Sequence, residues 1–347
     1  LGLRLGVHAV LVPIRDAEGN PLPGVRTGDS GHKMGLNGVD NGRLWFDDVR
    51  VPVESLLDRF AQIDESGAYQ SSITSPGRRF FTMLGTLVGG RVCVGSAGVS
   101  VADTALTIAI RYAGARRQFG PAEGREVPLL VYPTHRRRLL PALATSYVLH
   151  FAFDRLRARF TEVHATPDAD TRELEAEAAG LKAIATWHGI RTAQQCREAC
   201  GGQGYLSVNR LPDLKAESDV FATFEGDNTV LLQLVAKSLL TGFQKRLSDG
   251  GVGAMLRMVG DAALAAVREQ NPIARRETSR GHLRDRDFHL AAFAHRREVL
   301  VRSAAMRLRK RVAATKDAHG AMLEVQEHMI AAARAYVDHL AMAWFTE

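Results

Sequence analysis

The stretch that most restricts how this chain can fold is a glycine turn, a polar connector and a lone glutamate set at the mouth of a helix. It runs from Ala199-Cys200-Gly201-Gly202-Gln203-Gly204-Tyr205, through about twenty residues, to Thr223-Phe224-Glu225-Gly226-Asp227-Asn228-Thr229. Beyond it Val230, Leu231, Leu234, Val235, Ser238 and Leu239 recur at helical spacing, and Asp227 or Asn228 supplies an N-cap. Glu225 therefore stands where a helix begins. A carboxylate there suits the helix dipole on electrostatic grounds alone. With Phe221 and Phe224 beside it, an apolar pocket would instead disfavour its anion and make it hold a proton more tightly, as a base for a carbon acid must. Spacing does not choose between the two.

At 347 residues the chain can form two or three domains. No window reaches 18 consecutive apolar residues, and Leu1-Gly2-Leu3-Arg4 does not open a long apolar run, so a soluble, unsecreted chain with no membrane span is expected. Cys93, Cys196 and Cys200 are too few and scattered for a disulfide framework. Cys196 and Cys200 lack partners at zinc-ligand spacing, so they are expected to be buried small hydrophobes and no metal is expected. The net charge of +7 is local: residues 271–316 hold 13 Lys and Arg against 4 Asp and Glu, a segment charge of +9 that leaves the remainder at −2. No recognition motif or aromatic interleaving accompanies it, so a solvated helix face is expected and nucleic acid is not.

Residues 1 to about 60 read as β-rich. Val7-His8-Ala9-Val10-Leu11-Val12 suits a strand, Asp16-Ala17-Glu18-Gly19-Asn20 a turn, and Leu44-Trp45-Phe46 with Val49-Arg50-Val51-Pro52 a strand pair. Gly35, Gly38 and Gly42, with Asn37 and Asn41 between them, would supply left-handed or tight corners. From about residue 77 the pattern turns helical. Phe80, Leu84, Leu87, Val88 and Arg91 share a face, which puts a guanidinium on an apolar stripe where it needs an anionic or hydrogen-bonding partner. Gly85, Gly89, Gly90, Gly95 and Gly98 would let helices approach closely, at a cost in helix stability.

A helix stops at Gly120-Pro121 with Arg116 and Arg117 on its last turn. Helices continue over 128–165 and 172–200 across a polar loop whose Asp170 can cap the second. Tyr147, Phe151 and Phe153 are expected in the core and Arg136, Arg137 and Arg138 in solvent. After Glu225 the chain runs about 120 residues further: Leu247 to Val267, a polar break near Asn271-Pro272, and two more helices, one with Phe293, Leu300, Ala304 and Leu308 on its apolar face.

Three strings carry more than periodicity: CGGQGY with FEGDNTVL about twenty residues later, YAGARRQFG over 112–120, and KMGLNGVDNGRLWFDDVRVPVESLL over 33–57. Together they resemble the acyl-CoA dehydrogenase and oxidase superfamily. The oxidase branch is favoured, because EGDNT stands where dehydrogenases usually carry an EGTSQ type, and because the chain continues well past Glu225. The resemblance implies an α+β, mainly α protein: a partial antiparallel β-barrel domain (1–75, the second half of a middle β-domain), a catalytic helical bundle (76–246) and an additional, incomplete C-terminal helical domain (247–347). It also implies that an N-terminal helical domain lies outside this chain.

In function, the resemblance implies that Glu225 removes the α-proton of a fatty acyl-CoA while the β-hydrogen leaves as hydride to FAD, and that oxygen then reoxidises the flavin to give trans-2-enoyl-CoA and hydrogen peroxide. The enolate oxygen would be held by a flavin ribityl hydroxyl and the backbone N–H of the glutamate. Arg116, Gln118 and Phe119 would bind the diphosphate and adenine side of FAD from a neighbouring subunit, making at least a homodimer. Gly201, Gly202 and Gly226 would also face the cofactor, and Arg91 and Tyr205 the substrate. Glu198 stands where dehydrogenases often carry glutamine, which puts a cofactor contact from that position in doubt. A bacterial cytoplasm or a peroxisome is implied, although the chain ends Phe345-Thr346-Glu347 without an S-K-L-type signal. A dehydrogenase passing electrons to a flavoprotein carrier, or a non-catalytic chain of the same fold, remain open alternatives.

Overall fold

The computed structural model describes residues 5–122, 124–166, 169–246, 248–249 and 278–347. The stretch expected from Leu247 to Val267 and the break near Asn271-Pro272 fall outside the described residues, apart from Ser248 and Asp249. The chain divides into two compact units, Leu1–Leu87 and Val88–Glu347. Among the described residues it is mainly helical, with two small sheets.

In the first unit β1 (Val25–Asp29) pairs antiparallel with β2 (Gly42–Phe46), and β3 (Gln62–Ile63) with β4 (Tyr69–Gln70). These are two separate two-stranded sheets, in place of the expected barrel wall. The Val7–Val12 strand reduces to a single bridge between Val10 and Leu56, because Pro13 has no N–H to extend it. Val49–Pro52 forms no strand: Pro52 instead leads into a 3-10 turn at Val53–Ser55. Asp16 does close the expected turn, accepting the Asn20 N–H at 2.7 Å. Left-handed backbone occurs at Gly24 and Gly31 rather than at Gly35, Gly38 or Gly42. At Gly24 a Cβ would stand 2.4 Å from the Asp47 carbonyl oxygen. Ser75 caps α1 (Pro76–Leu84), and the chain then tightens into a 3-10 turn at Gly85–Leu87. Phe80 and Arg91 thus do not share one continuous helix.

The second unit is a helical bundle. Its members are α2 (Val88–Ala115), α3 (Pro133–Ala165), α4 (Arg172–Ala199), α5 (Leu211–Asp219), α6 (helical over 228–246), α7 (Arg286–Thr315), α8 (Ala318–Glu324) and α9 (Gln326–Thr346). α4 is the central rod, buried from Leu174 to Ala199 along most of its faces. α2 lies against it in the same direction. A Cβ on Gly95 would meet the Lys182 backbone at 3.2 Å, one on Gly98 the Ala185 carbonyl oxygen at 2.9 Å, and one on Gly189 the Gly98 carbonyl oxygen at 2.4 Å. Further along, Leu106 and Ala109 pack with Ala193 and Cys196. The glycines therefore set the spacing of the pair, as their number in the sequence suggested. α2 is long and apolar enough to cross a membrane, yet here Val92, Val99, Ala102, Ala105 and Leu106 are core residues.

α3 and α9 close the bundle, with Leu149, Phe153, Leu156, Val337 and Ala341 in one cluster. Phe153 is 1% exposed, but Tyr147 and Phe151 are exposed, contrary to expectation. The buried stripe of α3 runs through Ser146, Leu149, Phe153 and Leu156, which turns those two aromatics outward. Cys196 and Cys200 are buried as expected, and burial pushes the Cys196 thiol up to about 12. On α7, Val301 and Ala304 are buried where it meets α6 and α9.

Two outcomes follow from this packing. Alanine exceeds glycine in helix propensity by about 1 kcal/mol, so Gly189→Ala would stabilise an unconstrained helix. Against the Gly98 carbonyl it should instead cost about 1–3 kcal/mol, read as a lower urea midpoint. His188, buried and hydrogen-bonded to the Ser146 hydroxyl at 2.9 Å, is held down to about 4, first by burial and then by Arg191. The unfolded imidazole takes its proton near 6.5, so stability should fall as pH drops from about 6.5 to about 4, by up to about 3 kcal/mol. His188→Gln should flatten that window in chemical-denaturation curves.

Candidate active site

Between α5 and α6 the chain makes a 3-10 turn at Val220–Ala222 and then two successive left-handed residues, Glu225 at φ 56° and Gly226 at φ 103°. For a non-glycine residue this conformation costs about 1–2 kcal/mol, so other contacts must hold it. Gly226 tolerates the conformation, and a Cβ there would also meet Leu231 at 2.9 Å. Asp227 then caps α6, accepting the N–H groups of Thr229 at 2.9 Å and Val230 at 3.2 Å. Asn228, the alternative cap, points inward and is 1% exposed.

Two buried cations hold the turn by consecutive carbonyls. Arg91 on α2 donates from Nε to the Glu225 carbonyl at 3.3 Å, and Lys182 on α4 donates from Nζ to the Gly226 carbonyl at 2.8 Å. Arg91 finds the partner its sequence position called for, in a backbone carbonyl. Burial lowers its pKa, while Glu175 and Glu225 favour its charge. Lys182 also donates to Asn228 Oδ1 at 3.0 Å. The Asn228 amide donates to Thr186 Oγ1 at 2.9 Å, and Thr186 donates to the Lys182 carbonyl at 2.9 Å.

The Glu225 carboxylate lies over Gly90 of α2, where a Cβ would stand 2.4 Å from Oε2. Its Oε2 is buried with no hydrogen-bond partner. The rings of Phe221 and Phe224 stack at 5.5 Å and 16°. Two aromatics thus share the turn with the carboxylate, whose charged neighbours are Arg91 and Lys182.

The remaining sequence-predicted residues lie elsewhere. Arg116, Gln118 and Phe119 form a loop beyond α2, tied down by Gln118 N–H to Val127 O at 3.0 Å and Val127 N–H to Phe119 O at 2.9 Å. Phe119 is left-handed, φ 58°, and 69% exposed. Gly201, φ 58°, and Gly202 have open space where a Cβ would project. Gly204 packs on α4, where a Cβ would strike the Arg197 carbonyl, and Tyr205 is exposed. The two loops leave the same end of the α2–α4 pair, since the last turns of both helices share one core cluster. α2 rises about 36 Å between Arg91 and Ala115. The structure therefore joins Glu225, Gly226 and Arg91, and sets Arg116, Gln118, Phe119, Gly201, Gly202 and Tyr205 at the far end. Glu198 is engaged by Gln194 at 2.6 Å and Arg138 at 3.1 Å. Among the described residues no cluster could hold a metal ion.

Sequence reasoning missed Gly90, Lys182, Thr186 and Asn228 as parts of this site. A signal existed for Lys182, the lone charge in Ala178-Ala179-Gly180-Leu181-Lys182-Ala183-Ile184-Ala185.

Residues 84–240 match the family model for the acyl-CoA oxidase C-alpha1 domain, which contains this whole constellation. Over 345 residues, 99% of this chain and 50% of the relative, the sequence is 41% identical to peroxisomal acyl-coenzyme A oxidase 2 of Arabidopsis thaliana. The chain belongs to the acyl-CoA oxidase family. Its fold superposes on Arabidopsis thaliana acyl-CoA oxidase 1 with a TM-score of 0.81 at 31% identity, covering 98% of this chain and 51% of that one. It also superposes on Caenorhabditis elegans acyl-CoA oxidase-2, solved with FAD, ascaroside-CoA and ATP, with a TM-score of 0.79 at 25% identity, covering 98% and 49%. The chain spans about half the length of the curated relatives it matches.

The three atoms nearest a Cβ at Gly90 all belong to the far end of the Glu225 side chain. Gly90→Ala should therefore leave the thermal midpoint at or above the parent's, by up to about 1 kcal/mol of helix propensity, while a crystal structure shows the carboxylate swung off α2. An unmoved carboxylate would contradict this reading of the site.

Proposed function

We propose that this chain carries the proton-abstracting site of an FAD-dependent acyl-CoA oxidase acting on fatty acyl-CoA, with Glu225 as the base. The observation that carries the reading is the buried, unpartnered Glu225 Oε2, held beside Gly90 in a left-handed turn that Arg91 and Lys182 fix by its carbonyls. An unpaired carboxylate oxygen without water access is costly unless a substrate proton comes to it.

One feature suits the substrate of the family and one its cofactor. The orphaned Oε2 would face the acyl chain, and the exposed loops at the other end of α2 and α4 offer what the far end of a dinucleotide needs. There Arg116 would pair with diphosphate, Phe119 would stack on adenine, Gln118 would hydrogen-bond, and the open Gly201-Gly202 backbone would allow close approach. Their separation from Glu225 along α2 favours service to a second subunit's cofactor, hence a homodimer or higher homo-oligomer. When bound, FAD would accept the β-hydride and return the electrons to oxygen as hydrogen peroxide.

Glu225 would take the α-proton of the thioester onto its carboxylate. Arg91, fixed to the Glu225 carbonyl, would keep that side chain aimed and place positive charge beside the developing enolate. Phe221 and Phe224, stacked within the same turn, would give the base an apolar flank. The net conversion is acyl-CoA and oxygen to trans-2-enoyl-CoA and hydrogen peroxide. The peroxisomal naming of the plant relative fits such a peroxide-forming step, and a bacterial cytoplasm would serve equally. Electron transfer to oxygen rather than to a flavoprotein carrier is read by assaying peroxide with and without a carrier.

In the purified FAD-loaded protein, Glu225→Gln should retain its flavin absorbance while anaerobic bleaching by saturated acyl-CoA slows about 100- to 10,000-fold. Bleaching at the parent rate would remove Glu225 from the reaction.

A further inference from the structure

We propose that Lys182 is a positioning residue for the Glu225 carboxylate, acting as a buried ammonium that clamps the Gly226 carbonyl and the Asn228 side chain and so holds the left-handed turn. The inference rests on the reading of Glu225 as the base. Lys182 is 0% exposed and ranks among the largest fully buried side chains of the chain. Among the described residues its hydrogen bonds go to neutral acceptors, the Gly226 carbonyl and Asn228 Oδ1. A buried cation held this way is expensive, and an apolar side chain of similar length would fill the space without desolvating a charge.

What the ammonium supplies is reach and direction. It comes from α4, whereas Arg91 comes from α2, so the two residues that must stay left-handed are gripped from two helices at successive carbonyls. Asn228 completes the clamp, since its amide is fixed by Thr186 Oγ1 and by the Ala183 carbonyl at 3.3 Å, both on α4. Releasing the Gly226 carbonyl would let Glu225 relax toward ordinary backbone and lift its carboxylate from Gly90. The groups facing the ammonium are Asp227 and Glu225 from the turn and Arg91 from α2. Burial brings it down to about 8, with Asp227 and Glu225 favouring its charge and Arg91 opposing it.

The test compares parent, Lys182→Met, Lys182→Gln and Glu225→Gln in the FAD-loaded protein, with butanoyl-, octanoyl- and hexadecanoyl-CoA as probes. Lys182→Met should slow anaerobic bleaching about 100-fold, the scale of a 1 Å misplacement, with acyl-CoA dissociation constants within about threefold of the parent. Its crystal structure should show the Glu225 carboxylate displaced from Gly90. Lys182→Gln, which keeps a donor for the Gly226 carbonyl, should recover at least about tenfold of the lost rate. A Lys182→Met protein that bleaches within about threefold of the parent, or whose Glu225 has not moved, overturns the proposal. If Lys182→Met does not fold, the parent is compared with a variant that leaves the lysine in place, Asn228→Ala. Loss of one of the two Lys182 acceptors should slow bleaching at least about tenfold with Glu225 shifted from Gly90, and parent-like bleaching with Glu225 unmoved overturns the proposal. Failure of the underlying reading is seen separately, as parent-like bleaching by Glu225→Gln.

Discussion

Two cations almost or wholly removed from water, Arg91 and Lys182, donate to the carbonyls of two adjacent residues that both stand in the left-handed region. The candidate site depends on that grip. A left-handed glutamate is unstable by itself, and a buried unpaired cation is unstable by itself. Joined, each satisfies the other: the carbonyls gain charge-assisted donors, and the cations gain acceptors in a place where water cannot serve. The carboxylate of Glu225 lies over Gly90 of α2, with its Oε2 buried and without a hydrogen-bond partner.

The packing of the bundle brings the two cations to the turn. Arg91 and Lys182 sit on neighbouring helices, and they converge only because α2 and α4 touch through Gly95, Gly98 and Gly189. Each of these glycines weakens its helix, yet α4 is enclosed on most sides and α2 is lined by core residues, so tertiary packing outweighs local propensity. Gly90 belongs to the same series, but its missing side chain makes room for a functional group rather than for another backbone.

Much of this was legible in the residues. The bounds of α4, a cap at Asp227 or Asn228 and the break at the glycine turn followed from periodicity and turn chemistry. Arg91 was legible as a charge on an apolar stripe, though its partner was not, because a backbone carbonyl 134 positions away leaves no mark in a sequence. Lys182 was passed over because lysine is ordinarily a surface residue, and only its alanine-rich surroundings hinted at burial. Tyr147 and Phe151 were misplaced because α3 is long and sparsely apolar, so its buried face is chosen by partners distant in sequence. The short sheets of the first unit escaped for a related reason: strands such as Val25–Asp29 contain turn-type residues and exist only by pairing. The roles of Arg116, Gln118 and Phe119 rested wholly on resemblance, since an exposed loop states nothing about its ligand.

The most direct measurement of Glu225 as a carbon-acid base separates proton transfer from hydride transfer. 3,3-Dimethylbutanoyl-CoA has α-protons but no β-hydrogen, so it can be deprotonated but not desaturated. Incubated with the FAD-loaded protein in deuterium oxide and followed by proton NMR, it should lose its α-proton signal with the parent and keep it with Glu225→Gln. Equal loss of that signal with both proteins would contradict the account.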